Sequence, residues 1–283
     1  MIYSINNTTV YHFTREVFFE PHYLRLYPRN DPGQKVLKHK ISIDPRPAGY
    51  STGLDVWGNS FVLAWFDGCH SRMQISSTST VQTLRSNPFD FVLPRSSQRI
   101  PPELSPQEKT DLMSCLSPRF SRLNNFFFWF DPGTCSEDRN YIVSFLFQLT
   151  NWIFEHVKLE QRWDTGIIPP SKLMETRQGC CRDLAALFVE VCRQMGIASR
   201  FVSGYQEGDE DTSQAELHAW AEVYLPGAGW RGYDPSHGLA VADRHVALAA
   251  APELENTMPV IGTYRGNEAR SSIEHSVRLK RLK

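Results

Sequence analysis

No run of lysine and arginine long enough to track a phosphate backbone occurs in this chain. Thirty basic residues against thirty-one acidic ones leave a formal net charge of −1, which argues against nucleic acid as a partner. No window reaches the ~18 apolar residues that a membrane span requires. The opening MIYSINNTTVYHFTREV lacks a positively charged segment followed by an apolar one, so the expectation is a chain without membrane contact, retained in the cytoplasm. Cysteine is scarce, with six irregularly spaced residues in 283, which excludes a disulfide framework and points to free thiols in a reducing compartment. Internal repeats and low-complexity tracts are also missing.

What remains is the composition of a packed globular chain, 41% hydrophobic with 12% aromatics, long enough for two domains that each bury a core. Up to about Thr83 the sequence offers short β-branched and aromatic runs: TTVYHF, EVFFEPHYLRLYP, VLKHKISIDP, WGNSFVLAWFD and MQISSTSTVQTL. Turn clusters such as RNDPGQ and PRPAGYSTG separate them, at the spacing of an all-β sandwich or barrel. Residues 87–118 are rich in proline and serine and read as a linker leading to a short helix near Gln107–Cys115. This places a domain boundary near residue 95, with an N-terminal β domain over 1–95 and a second domain over 96–283.

The second domain opens helical, with RNYIVSFLFQLTNWIFEHV as a largely buried helix and PPSKLMETR as a shorter one. After QGCCRDLAAL, residues 178–187, the apolar positions Leu184, Leu187, Phe188, Val191 and Met195 recur at helical spacing, and Gly196 is placed to stop the helix. SRFVSGYQ, LHAWAEVYLP, GWRGYDP, HVALAAA and SIEHSVRLKRL then read as strands. The fold class expected is α+β.

Cys180 and Cys181 fall where this helix begins. A thiol there feels the positive end of the helix dipole, which favours the nucleophilic thiolate. Arg182 adds positive charge, and Asp183 can cap free amides. The plainer reading makes both cysteines small buried hydrophobes, so a base must be found. His218 opens a strand whose opposite face is Ala219, Ala221, Val223 and Leu225, and the strand that returns ends at Asp234, where a carboxylate can orient an imidazole. A four-residue loop over 226–229 would pair Asp234 with Ala221, on the wrong face for His218. The arrangement therefore requires a bulge or a longer loop, which Gly227 and Gly229 permit.

Taken together, GCCRDLAALFVEVCRQMGIASRFVSGYQ, LHAWAEVYLPGAGWRGYDPSHG, RHVALAAAPE, PVIGTYRG and the N-terminal VYHFTREVFFEPHYLRLYPR resemble the transglutaminase-like superfamily, specifically its bacterial cysteine protease branch with an N-terminal β domain. The resemblance implies a papain-like core, a nucleophile helix packed on an antiparallel sheet, preceded by an all-β sandwich-like domain. It also implies that the cysteine of the G-x-C-R-D motif, here Cys181, is the nucleophile, with His218 and Asp234 as its partners and no cofactor. Two departures stand out: Cys180 occupies a position more often Ser, Val or Ala, and FEHVKLEQRW lacks the expected aromatic-proline pattern. The latter leaves the second oxyanion donor open between Trp163 and Gln148, beside the amide of Cys181.

His237 and His245 read as structural or solvated, Cys192 as core, and the acidic stretch Gln206–Glu216 as a solvated connection without the pattern of a calcium loop. The function expected is acyl transfer through a thioester on Cys181, with hydrolysis of a peptide, isopeptide or carboxamide bond as the outcome the resemblance implies, and with a protein, peptide or small amide as substrate. The rivals are a binding or scaffold module with a vestigial site, and a structural zinc held by Cys180, Cys181, His218 and Asp234.

Overall fold

The computed structural model describes residues 1–121, 123, 141–162, 166–208 and 217–282. The N-terminal part is built from β1 (Ile2–Phe19), β2 (His22–Leu24), β3 (Gln34–Asp44), β4 (Gly49–Leu54), β5 (Ser60–Trp65) and β6 (His70–Thr83). β1 takes in the first run read from the sequence and the start of the second, and its register with β6 shifts between His12 and Val17. Alternation along it sends Tyr3 and Ile5 into a core shared with Val17, Phe19, Met73 and Ile75. Part of the stretch read as a turn cluster forms β4, which pairs with β5 from Gly49–Trp65 to Leu54–Ser60. Its mostly exposed, glycine-containing sequence carries no period-two apolar signal.

Residues 84–105 contain no helix or strand beyond a single 3₁₀ turn at Arg95–Ser97. Short helices α1 (Pro106–Asp111) and α2 (Met113–Leu116) follow, then α3 (Ile142–His156), the two-residue strand β7 (Lys158–Leu159), α4 (Pro170–Thr176), β8 (Gln178–Gly179) and α5 (Cys181–Gln194). Helix α5 ends as expected at Gly196, which takes a left-handed φ of 72°. From Asp183 to Arg193 every residue of α5 is buried. Its polar side chains act as internal ties: Glu190 accepts from the amide of Arg119 at 3.0 Å, and Arg193 donates to the Ser199 carbonyl at 3.1 Å.

Helix α5 packs on a five-stranded antiparallel sheet in the order β12 (Leu239–Ala240), β11 (Gly229–Asp234), β10 (Leu217–Leu225), β9 (Ser199–Gln206), β13 (His245–Ala251). Ala221, Val223, Leu225 and Tyr233 on one face of this sheet join Leu184, Leu187, Phe188 and Val191 of the helix and Phe145, Leu146 and Leu149 of α3 in one cluster.

The last strands return to the N-terminal part. β14 (Val260–Ile261) pairs with β2, β15 (Tyr264–Arg265) with the end of β1, and β16 (Ser271–Arg281) with β1 over eleven residue pairs from Tyr3–Arg281 to Phe13–Ser271. The C-terminal strand that the sequence reading placed in a second domain running to 283 therefore completes the first sheet. The two parts also share a core, since Tyr205, Val246 and Leu248 pack with the N-terminal cluster. Strand β13 lies at the sheet edge, and side-chain amides of the N-terminal part satisfy its outer backbone groups. Gln34 bridges the amide and carbonyl of Ala247 at 2.7 and 2.9 Å, and Asn59 does the same for Ala250 at 2.8 and 2.9 Å.

Candidate active site

Cys181 is the first residue of α5, with Cys180 as N-cap in extended conformation. The two sulfurs are separated by what their neighbours do. Asp183, fully buried, accepts the Cys180 amide at 2.9 Å and the Cys180 thiol at 3.1 Å. Burial first, and then this carboxylate, push the Cys180 thiol up to about 12. The same Asp183 accepts Arg162 at 2.6 Å and the amide of Ile168 at 2.7 Å, while Arg182 donates to the Gly166 carbonyl at 2.7 Å. A strap preceding the helix is thereby tied to its first turn. Gly179 is required by close approach, because a Cβ there would sit 2.7 Å from Leu173 and 3.0 Å from the Asp183 side chain. Cys181 is half-buried.

The β10–β11 hairpin resolves the question of which face Asp234 occupies. The loop is three residues, 226–228, and Gly229 already pairs with Leu225, in a left-handed conformation at φ 71°. This is the bulged three-residue turn that a glycine at that position allows. Register moves by one relative to a four-residue loop, so Tyr233 faces Ala221, and Asp234 shares the face of Trp220 and His218.

His218 Nε2 lies 2.7 Å from Asp234 Oδ2, with 11% of its side chain exposed. The Cys181 side chain also acts on His218 and favours its charged form. Burial pulls His218 down, but the Asp234 charge and hydrogen bond, followed by Cys181, carry it up to about 10. Burial pushes Asp234 up, and the imidazole of His218 together with its other donors holds it well below the usual carboxylate range.

Sequence reasoning missed the company Asp234 keeps. His237 Nδ1 lies 3.0 Å and His245 Nε2 2.9 Å from the same Oδ2, while Ser236 donates its amide and hydroxyl to Oδ1 at 3.0 and 2.6 Å. Both histidines had read as structural or solvated. The Asp-Pro-Ser-His run gave a local cue for His237, but His245 is brought in by strand order alone. The atoms of His218, Asp234 and His245 lie within 4.8 Å of one another, a spacing that a cation site also shows. Each imidazole here aims a nitrogen at the same carboxylate oxygen within hydrogen-bonding distance, so those nitrogens are engaged with protons. Cys180, a ligand in the zinc alternative, is turned to Asp183 instead. Cys192 is buried in the core, as expected. Gln148 is half-buried on α3, whereas Trp163 and most of the Gln206–Glu216 stretch lie outside the described residues.

Comparison with known proteins gives two family matches: the bacterial transglutaminase-like N-terminal region over residues 3–82, and the transglutaminase-like superfamily core over residues 133–235. An uncharacterized protein of Mycobacterium tuberculosis is 26% identical over 298 aligned positions, covering 97% of this chain and 91% of that protein. A protein-glutamine gamma-glutamyltransferase of Pseudomonas aeruginosa is 36% identical over 75 residues, 24% of this chain and 11% of its own length. The fold is similar to a crystal structure from Cytophaga hutchinsonii described as a "Putative Cysteine Protease", with a TM-score of 0.74 at 19% identity, covering 100% of this chain and 91% of that one. With an N-terminal β region ahead of an α+β core in which a buried helix packs on an antiparallel sheet, the chain belongs to the transglutaminase-like superfamily.

Proposed function

We propose that this protein is a cysteine-dependent acyl-transfer enzyme that hydrolyses a peptide, isopeptide or carboxamide bond. One observation carries the reading: an imidazole held through Nε2 by a buried carboxylate at 2.7 Å, with the side chain of a cysteine at a helix N-terminus acting on the same ring. In the reaction, the Cys181 sulfur attacks the substrate carbonyl carbon, and His218 takes the thiol proton and delivers it to the leaving amine as the carbon–nitrogen bond breaks. Asp234 holds the ring and offsets the charge of the imidazolium. The Cys181 amide belongs to the first turn of α5, where backbone N–H groups lack intrahelical acceptors, and it supplies one donor to the oxyanion. Water, with His218 as base, then cleaves the thioester to release the acid.

The test is a panel of peptide, isopeptide and carboxamide substrates, each with and without a primary amine, followed by mass spectrometry. The proposal expects acid products, an acyl adduct on Cys181 at short times, and loss of both in Cys181→Ala. A panel that yields neither adduct nor product, with Cys181 inert to alkylation, would favour a binding module.

A further inference from the structure

Two imidazoles outside the steps above converge on the carboxylate that holds His218. We propose that His245 is a positioning residue of this site: by donating Nε2–H to Asp234 Oδ2 it keeps that carboxylate aimed and its charge shared, and so sets how tightly His218 holds its proton. The inference rests on the reading of Cys181 as nucleophile and His218 as its base. His245 lies outside residues 133–235, the span matched by the superfamily core.

The geometry fixes the tautomer. His245 is 4% exposed, its Nε2 is 2.9 Å from Oδ2, and its Nδ1 is buried with no partner among the described residues. A buried N–H without an acceptor is costly, so the proton belongs on Nε2, where the carboxylate receives it. The titratable groups facing His245 are Asp234 from β11, His218 from β10 and His237 from the turn after β11; Trp220 of β10 meets its ring edge-on at a centroid distance of 5.1 Å. Burial lowers His245, the Asp234 interaction only partly offsets this, and the neighbouring imidazoles lower it further. Asp234 thus receives a charged donor from His218 and a neutral one from His245.

Placement is rigid. His245 opens β13, whose outer backbone groups are clamped by Gln34 and Asn59. The N-terminal part therefore reaches the site through this strand. Three N–H donors divide the charge of a single oxygen, so removing one concentrates that charge on the others, and His218 holds its proton more tightly.

The pH profile of iodoacetamide alkylation at Cys181, mapped by mass spectrometry, tests this in the full chain. The high-pH limb reports loss of the His218 proton. In His245→Leu it should move upward by about half a unit to one unit, roughly a 3- to 10-fold change in that equilibrium. In His245→Gln, whose amide donor extends to about the position of Nε2, it should return toward the wild type. A limb unmoved in His245→Leu, or equally displaced in His245→Gln, overturns the proposal. Should His245→Leu fail to fold, ¹⁵N spectra of histidine-labelled wild type decide. His245 is expected to be neutral and protonated at Nε2 near neutral pH, while protonation at Nδ1 there overturns the role. A wild-type profile without any His218-dependent limb defeats the nucleophile reading itself, whereas a limb that His245 does not move defeats only this inference.

Discussion

Asp234→Asn separates the charge of the carboxylate from its shape. Asp234 is fully buried, with three imidazole donors on Oδ2 and the Ser236 amide on Oδ1. An asparagine amide of the same size must turn its NH₂ toward one of these donors in either orientation. The substitution also removes the charge that carries His218 up to about 10 and leaves the burial that lowers it. Near neutral pH the variant imidazole is then neutral and no longer favours a thiolate beside it. The residue 181 thiol then lacks its imidazolium partner, so its alkylation near pH ~7 should be slower than in the wild type by about an order of magnitude. The gap should narrow as pH rises and thiolate forms without assistance. The assay is second-order iodoacetamide kinetics at several pH values, with circular dichroism to confirm folding. A folded Asp234→Asn protein whose profile runs parallel to the wild type would refute the reasoning.

The His218–Asp234 pair also sets a pH dependence of stability. His218 is raised in the fold from 6.5 to about 10, so its contribution is fully present below about pH 6.5 and is lost as pH rises toward 10. Thermal melts should show a loss of order 4 kcal/mol across that window that is missing in His218→Gln. Asn59→Leu leaves the amide and carbonyl of Ala250 without partners, which should cost about 2–4 kcal/mol in urea unfolding. A loss under ~1 kcal/mol would mean that the two parts of the chain are not held through β13. Asp183→Asn breaks the buried pair with Arg162 and weakens the cap at Cys180, with an expected destabilisation of about 3–5 kcal/mol. Slower alkylation of Cys181 in that variant, measured under folded conditions, would show that the strap positions the helix start.

Local signals in the sequence were sufficient for the helices. The spacing of Leu184, Leu187, Phe188 and Val191 and the stop at Gly196 describe α5 almost to the residue, because both are properties of the helix itself. Strand pairings depend on distant residues. β16 shows clear alternation, yet nothing in SIEHSVRLKRL says that its partner is β1 at the other end of the chain. Whether His218 and Asp234 share a face turned on a single residue of loop length, and Gly229 was the position that decided it. Cys181, His218 and Asp234 could be singled out as candidates because each sits at an element boundary with a local cue. His245 carried none, as its meeting with Asp234 follows from β13 lying across β9 and β10, a consequence of sheet order alone.

The most direct test of the account is a competition between adjacent sulfurs. Cys181 acts on the His218 imidazole, whereas Cys180 is buried against Asp183 with its thiol pushed up to about 12. Limiting iodoacetamide near pH 6, with the adduct mapped by tandem mass spectrometry, should label Cys181 almost alone, and His218→Ala should slow that labelling. Labelling of Cys180 first, of both at equal rates, or of Cys181 at a rate indifferent to His218 would contradict it.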